Sequence, residues 1–152
     1  MNLKKINTDF VGMMFDKKRK NQIGFMILDD EEIFISTNVM FYIIKREDCF
    51  IDFKDRTPFR GEYLIKEAED GETAYLTNTI EIYENNQVRK VETEKDGRFE
   101  WIDPKLLKNF DLGATFKLGT GHKHNILYIY ENDELVGGVL PVNRGGGGNH
   151  YE

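Results

Sequence analysis

The 152-residue sequence predicts an α+β fold with a mostly antiparallel sheet, built as two similar halves. Residues 101–142 contain the pattern of a short helix followed by three closely spaced strands. The same order recurs, more faintly, over residues 8–44. Between these segments, turn signals separate short apolar runs at Asp70-Gly71, Asn85-Asn86 and Asp96-Gly97. We therefore expect two small sheets with two helices on a shared side.

In the first half, Asn7-Thr8-Asp9 supplies cap-forming side chains, which predicts a helix over residues 8–18. Its apolar residues recur at a spacing of three and four, and four cations follow at its C-terminal end, where the helix dipole favours positive charge. Strands are predicted at residues 22–28, 32–36 and 39–44. The third is apolar on both faces and should be central or covered on both sides.

The middle of the chain predicts a meander of short strands. Pro58 interrupts it, because proline cannot donate to a strand ladder. Cys49 is the only cysteine, and its alternation with Ile51 and Phe53 indicates a small buried side chain. The strands are expected at residues 49–53, 63–67, 73–76, 79–83, 87–93 and 99–101.

The second half begins with the clearest helix start in the chain. Asp103 is a good N-cap and Pro104 suits the first helical position, which predicts a helix over residues 104–110. Three strands should follow at residues 114–118, 126–130 and 135–142. Residues on the apolar face of each element form the predicted core: Phe25, Ile27, Phe34, Ile43, Ile51, Trp101, Leu107, Phe116, Tyr128 and Val139. Residues 1–143 are expected to form one domain and residues 144–152 a flexible glycine-rich tail.

Composition limits the function classes. The net charge is −6, so the chain as a whole is no nonspecific nucleic-acid binder, although segregated charges would still allow a local basic face. A single cysteine suits a reducing compartment. The N-terminus lacks the apolar run of a signal peptide, and no window has the roughly 20 apolar residues of a membrane span. We expect a cytoplasmic protein with no membrane contact.

Two segments of the second half resemble the DNA sliding clamps, the processivity factors of replication. Trp101-Ile102-Asp103-Pro104-Lys105-Leu106-Leu107 is similar to the start of the clamps' second helix. Val139-Leu140-Pro141-Val142 is similar to their proline-containing terminal strand. The resemblance is best over residues 101–142 and rests on element order alone in the first half. It implies two helix-plus-sheet halves related by a pseudo-two-fold axis.

The resemblance also implies binding sites and partners. Both helices would face double-stranded DNA. Cations can neutralise its phosphates without contacting the bases. Partner peptides, such as those of replication proteins, would occupy an apolar groove beside the terminal strand, at Leu140, Pro141 and Val142. The candidate DNA-binding residues are the basic ones in or beside the two helices: Lys17, Lys18, Arg19, Lys20, Lys105 and Lys108. Alternatively, the six basic residues are ordinary solvated cations, and residues 140–142 are only an edge strand ended by proline.

The chain departs from the clamp pattern in size and at its C-terminal end. Clamp rings are assembled from six such domains, carried two or three to a chain, whereas this chain has room for one. A ring would therefore need a homo-oligomer of six copies. The chain also continues past the terminal strand with Asn143, Arg144 and a glycine run, where clamps usually end.

No arrangement of residues indicates an enzyme. His122 and His124 form an H-x-H pattern, but no third ligand is identifiable, and a glycine-flanked turn is the expected context. Gly119-Thr120-Gly121 lacks the lysine and following helix of a phosphate-binding loop. We expect neither a bound metal nor a cofactor.

A second hypothesis stays open beside the clamp. A short, highly charged chain without a catalytic set also suits a small interaction or inhibitor protein, of the kind encoded by phages and mobile elements. Its acidic surface would bind a host-defence or other protein, for example by mimicking the charge of DNA. Cations gathered on the helix face favour the clamp, and an uninterrupted acidic face favours the inhibitor.

Overall fold

The computed structural model describes residues 1–120 and 125–144. A single sheet of nine strands has the order β1-β2-β3-β9-β8-β7-β4-β5-β6, and all of its pairings are antiparallel. The strands are β1 Gly24–Ile27, β2 Glu32–Ser36, β3 Met40–Lys45, β4 Glu72–Tyr83, β5 Asn86–Thr93, β6 Phe99–Ile102, β7 Thr115–Leu118, β8 Leu127–Glu131 and β9 Glu134–Val139. The α-helices are α1 Leu3–Met14 and α2 Glu62–Glu69, and single 3-10 turns occupy Lys20–Gln22, Arg46–Asp48 and Pro104–Leu107. The α+β class and the antiparallel sheet are confirmed, but the expectation of two sheets is wrong, because β3 pairs with β9 and joins them.

The junction of β3 with β9 depends on two glycines. Phe41 lies opposite Gly138 and Tyr42 opposite Gly137. A Cβ on Gly138 would overlap the ring of Phe41, and one on Gly137 would lie 2.6 Å from Cζ of Phe110 and 2.7 Å from the Phe41 carbonyl oxygen. The rings of Phe41 and Phe110 thus cover the bare glycine backbone, and a larger residue at either position requires these neighbours to shift.

Both faces of the sheet are covered. We call them the α1 face and the α2 face after the helix that packs on each. Tyr42 and Ile44 of β3 belong to the hydrophobic cluster that packs against α1. Phe41 and Ile43 belong to a second hydrophobic cluster, which packs against α2. This confirms that the third strand is buried on both sides. The helices contribute Ile6, Phe10 and Met13 from α1 and Ala68, Leu64 and Ile65 from α2.

Helix α1 begins and ends earlier than predicted. Its N-cap is Asn2, whose side chain accepts a hydrogen bond from the Lys5 N–H at 3.1 Å. Asn7 lies inside the helix, where its side chain donates to the Asp48 carbonyl at 2.7 Å and accepts from the Phe50 N–H at 2.8 Å. A cap-forming residue is therefore used for a tertiary contact. Asp16 stops the helix by accepting from the Lys18 N–H, a local bond that competes with helix continuation.

The predicted strand at residues 63–67 is wrong, because this segment lies in α2. Leu64, Ile65 and Ala68 form one apolar side of the helix, and Ala68 is buried against the sheet. The Asp70-Gly71 signal marks the end of this helix, where the Gly71 N–H bonds to the Ala68 carbonyl. The second substantial helix is therefore α2, and the predicted helix at 104–110 is a single 3-10 turn, Pro104–Leu107. Its predicted cap is confirmed, since Asp103 accepts from the Lys105 N–H at 3.0 Å.

Several smaller predictions also need correction. Residues 49–53 form no strand, although Phe53 is buried and Cys49 is half-buried. The strands predicted at 73–76 and 79–83 are one strand, β4, with a register shift between Leu76 and Ile80. Ile27 is half exposed because it ends the edge strand β1, whereas the other predicted core residues are buried or partly buried. Strand β9 ends at Val139 because Pro141 cannot donate to a ladder.

The segment after β9 crosses to the far edge of the sheet. The Leu140 N–H bonds to the Val39 carbonyl at 2.8 Å, and the Val142 N–H bonds to the Trp101 carbonyl of β6 at 2.7 Å. The nine-stranded sheet is therefore curled around the α1 face, which brings the edge strand β6 close to the central strand β9. Among the described residues, no helix is long and apolar enough to cross a membrane.

Glu100 is a buried carboxyl group in β6, with 4% of its surface exposed. Its Oε1 accepts a hydrogen bond from the Asn125 amide at 3.3 Å. Burial raises the pKa of Glu100 from 4.5 to about 7, and the nearby Arg98 guanidinium opposes the rise. Arg98 itself donates to the Gly119 and Leu118 carbonyls. Glu100 should therefore be partly protonated near neutral pH.

Candidate functional site

A cleft of about 570 Å³ lies on the α1 face, between α1 and the 3-10 turn Pro104–Leu107. Arg19, from the loop after α1, lies on one side, and Lys105 and Lys108 lie on the other. Residues 37–39 of the β2–β3 loop form one end of it. Three of the six predicted DNA-binding residues therefore line one cleft, although they are far apart in the sequence. We call it the basic cleft.

Buried contacts hold the floor of the basic cleft in place. The Tyr42 hydroxyl accepts a hydrogen bond from the Asn109 amide at 3.1 Å, and burial raises the Tyr42 pKa to about 12. The Tyr42 ring contacts Phe10 at 6.1 Å and Phe110 at 5.1 Å between ring centroids. The Asn2 N–H bonds to the Asn109 carbonyl at 2.7 Å and ties the start of α1 to the same turn. The two walls are therefore fixed relative to each other.

The cations of the basic cleft are available to a ligand. Arg19, Lys105 and Lys108 are exposed, and within residues 1–120 and 125–144 none of them forms a salt bridge. The two carboxylates that line the cleft are engaged elsewhere. Asp9 pairs with Lys5 at 2.9 Å, and Asp103 caps the 3-10 turn. The charged residues that line the cleft are therefore three cations and two carboxylates, which leaves a net charge of +1 and favours an anion.

The other three predicted basic residues, Lys17, Lys18 and Lys20, are exposed in the loop between α1 and β1 and do not line the cleft. They still add to a charge difference between the two faces. Residues 1–23 carry six Lys or Arg and two Asp, whereas residues 61–70, which contain α2, carry four acidic residues and one Lys. Since α1 and α2 pack on opposite faces, the cations next to α1 and the acidic residues of 61–70, which we call the acidic patch, lie on opposite sides of the sheet.

A second, apolar pocket of about 220 Å³ opens on the α2 face. Leu140 lines it together with Phe34 and Phe41 of the sheet and with Phe59 and Leu64 from the segment that contains α2. Pro141 and Val142, the other two predicted partner-binding residues, do not line this pocket. The pocket can accept an apolar side chain, because most of its surface is formed by aromatic and aliphatic groups.

Sequence reasoning missed the parts of both sites that come from distant segments. The polar residues Gln22, Thr37 and Asn38 line the basic cleft, and Phe59 and Leu64 line the apolar pocket. Nothing in their local pattern marks them, because sheet pairing and helix packing bring them to the site. The sequence predicts a strand at residues 63–67, and the contact of Leu64 with the α2 face depends on this segment being a helix.

The remaining sequence candidates are not part of a described site. His122 and His124 lie outside the described residues, as does the glycine run 145–148. Cys49 is half-buried, and burial raises the pKa of its thiol, which disfavours a thiolate nucleophile. No family model, curated protein or solved structure matches the chain.

Proposed function

We propose that this protein is a sliding-clamp-like accessory protein of DNA metabolism. It binds double-stranded DNA without sequence preference through the basic cleft and the Lys17–Lys20 loop. It receives an apolar side chain of a partner peptide in the pocket beside Leu140. The observation that carries the proposal is the convergence of Arg19, Lys105 and Lys108 on one cleft of a chain whose net charge is −6.

The order of the sheet supports the clamp-like arrangement. Helix α1 followed by β1, β2 and β3 corresponds to the 3-10 turn followed by β7, β8 and β9. In the sheet these strands run β1-β2-β3-β9-β8-β7, so the two sets have mirrored order and meet at the antiparallel pair β3 and β9. Such an order is expected of two halves related by a pseudo-two-fold axis. The shortness of the second helical element and the presence of α2 are departures from the clamp pattern.

The charge distribution supports DNA binding on the α1 face. A phosphate backbone needs several unpaired cations on one surface, and base-specific contacts are unnecessary for sequence-independent binding. The cations of residues 1–23 and of the 3-10 turn share the α1 face, while the acids of residues 61–70 lie on the opposite face. DNA would therefore approach the molecule with its α1 face forward and avoid the acidic patch.

The test measures binding of a fluorescently labelled DNA duplex as a function of salt concentration. The triple variant Arg19→Gln, Lys105→Gln, Lys108→Gln removes the cleft cations. If each cation neutralises one phosphate, the slope of log K against log salt should become shallower by about 3. A second variant, Lys17→Gln, Lys18→Gln, Lys20→Gln, measures the contribution of the loop in the same way.

The matched control is the triple variant Arg60→Gln, Lys66→Gln, Lys95→Gln, which removes three exposed cations that do not line the basic cleft. It should leave the salt slope nearly unchanged. A protein that does not bind duplex DNA at any salt concentration contradicts the proposal, as does a control variant that loses as much affinity as the cleft variant. Retention on circular DNA together with the mass in solution then tests the ring, which needs an oligomer.

One observation favours the second candidate, an inhibitor that binds another protein. The acidic patch of residues 61–70 includes Tyr63, whose side chain is 60% exposed on α2. An exposed aromatic residue among carboxylates suits a contact with a basic protein surface. If DNA binding fails, substitution of Glu62, Glu69 and Asp70 by Lys should abolish capture of a basic DNA-binding protein by this chain.

A further inference from the structure

At the edge of the sheet formed by β4, β5 and β6, a cluster of side chains contacts the guanidinium group of Arg144. Arg144 Cζ lies 4.6 Å from the centre of the Trp101 ring in β6 and 5.4 Å from the centre of the Tyr83 ring in β4. Its Nη1 donates to Oε2 of Glu81 at 2.6 Å. One cation thus contacts two aromatic rings and one carboxylate.

This chemistry suits arginine better than lysine. A planar guanidinium can stack on an aromatic ring and at the same time donate in its own plane to a carboxylate. An ammonium group is a point charge and satisfies both contacts less well. The Glu81 contact is charge-assisted and therefore short and directional. The cluster selects for the shape of the cation as well as for its charge.

The two sides of the cluster differ in how they are held. Glu81, Tyr83 and Trp101 lie on paired strands, so their positions do not depend on Arg144. Arg144 lies five residues beyond the end of β9 at Val139, outside any strand, and the Val142 N–H donates to the Trp101 carbonyl in the same segment. The side chains of Arg144 and Glu81 are 24% and 46% exposed, so the cluster is reachable from solvent.

We propose that Glu81, Tyr83 and Trp101 form a binding site for an arginine side chain of a partner peptide, and that Arg144 fills this site until such a peptide displaces it. The site is separate from the basic cleft and from the pocket beside Leu140, and it does not depend on the proposed DNA binding. The strands present a preformed surface, and the cation that covers it comes from the segment that follows β9. Arg144 competes as an intramolecular ligand, so an external arginine binds more weakly while Arg144 is present.

The test uses N-acetyl-arginine methylamide as the probe and the emission of Trp101, the only tryptophan of the chain, as the signal. The full chain with Arg144→Ala should show a saturable change with a Kd on the order of 1 mM. The unsubstituted protein should bind the probe at least about tenfold more weakly, because Arg144 occupies the site. N-acetyl-lysine methylamide should bind Arg144→Ala more weakly than the arginine probe.

Second substitutions on the Arg144→Ala background locate the probe. Glu81→Gln and Tyr83→Leu should each weaken probe binding several-fold, whereas Glu84→Gln, a change of a neighbouring exposed carboxylate in the β4–β5 turn, should not. Arg144→Lys provides an independent check, because it keeps the positive charge without the planar guanidinium. Its affinity for the arginine probe should lie between those of the unsubstituted protein and Arg144→Ala. The proposal is overturned if Arg144→Ala shows no saturable change, if it binds the probe no better than the unsubstituted protein, or if Glu84→Gln weakens binding as much as Glu81→Gln.

Discussion

Burial of Glu100 should make the stability of this protein depend on pH, and the Glu100→Gln variant should remove the part of that dependence that comes from Glu100. The carboxyl is buried in β6, and burial raises its pKa from 4.5 to about 7. Between these two values the folded state holds a proton that the unfolded chain has lost. The free energy of unfolding should therefore fall as the pH rises from about 4.5 to about 7, because the folded state then has to keep a buried charge.

The size of the effect follows from the difference between the two pKa values. A pKa that rises from 4.5 to about 7 corresponds to about 3 kcal/mol, of which about 2–3 kcal/mol is lost between pH 5 and pH 8. Glutamine keeps an oxygen that can accept the Asn125 amide hydrogen and cannot ionise. From pH 5 to pH 8, the stability of Glu100→Gln relative to the parent protein should therefore increase by about 2–3 kcal/mol.

The free energy of unfolding of both proteins is measured at pH 5 and at pH 8 by urea titration, with Trp101 emission as the signal. Taking the difference between variant and parent at each pH cancels other titrating groups, such as Glu32, whose pKa is also raised by burial. Glu94→Gln changes an exposed carboxylate in the turn before β6 and should have little effect at either pH. A difference between Glu100→Gln and the parent that is the same at both pH values would refute the reasoning.

Four further substitutions test the packing described above, each by chemical denaturation. Asn7→Leu should cost about 1–3 kcal/mol, because it leaves the Phe50 N–H and the Asp48 carbonyl without their partner; an unchanged midpoint would mean that α1 is not held there. Gly138→Ala should cost about 1–3 kcal/mol, because its Cβ would overlap the Phe41 ring; a stabilised variant would contradict the close approach of β9 to β3. Ile27→Thr should change stability by less than about 0.5 kcal/mol, whereas Ile35→Thr should cost about 2–4 kcal/mol; equal costs would contradict the assignment of Ile27 to an exposed edge.

Local chemistry in the sequence was enough to predict the strands and turns of most of the fold. The predicted Asn85-Asn86 turn joins β4 and β5, and Asn85 has a positive φ angle that this residue type tolerates. The strand predicted at 32–36 has the bounds of β2, and Asp103 caps the turn that follows it. Such features depend on residues within a few positions of one another, so a single sequence contains them.

The sequence predictions are wrong where contacts between residues far apart in the sequence determine the local structure. Asn7 has the chemistry of a helix cap, but its partners at positions 48 and 50 place it inside α1. Residues 63–67 suit a strand by composition and form a helix, because Leu64, Ile65 and Ala68 then share one side that packs on the sheet. The single sheet depends on the pairing of β3 with β9, which bare glycine backbone opposite Phe41 and Tyr42 permits.

For the candidate site, the sequence by itself determined which residues carry charge and that Lys105 and Lys108 belong to one short segment that begins at the Asp103 cap. Only the tertiary structure decided that Arg19 joins them in one cleft and that Leu140 meets Phe59 and Leu64 in an apolar pocket. It also decided that Arg144 lies over Trp101. The physical reason is that side-chain chemistry is local, whereas the neighbours of a side chain depend on strand order, which results from burying the apolar faces of all nine strands together.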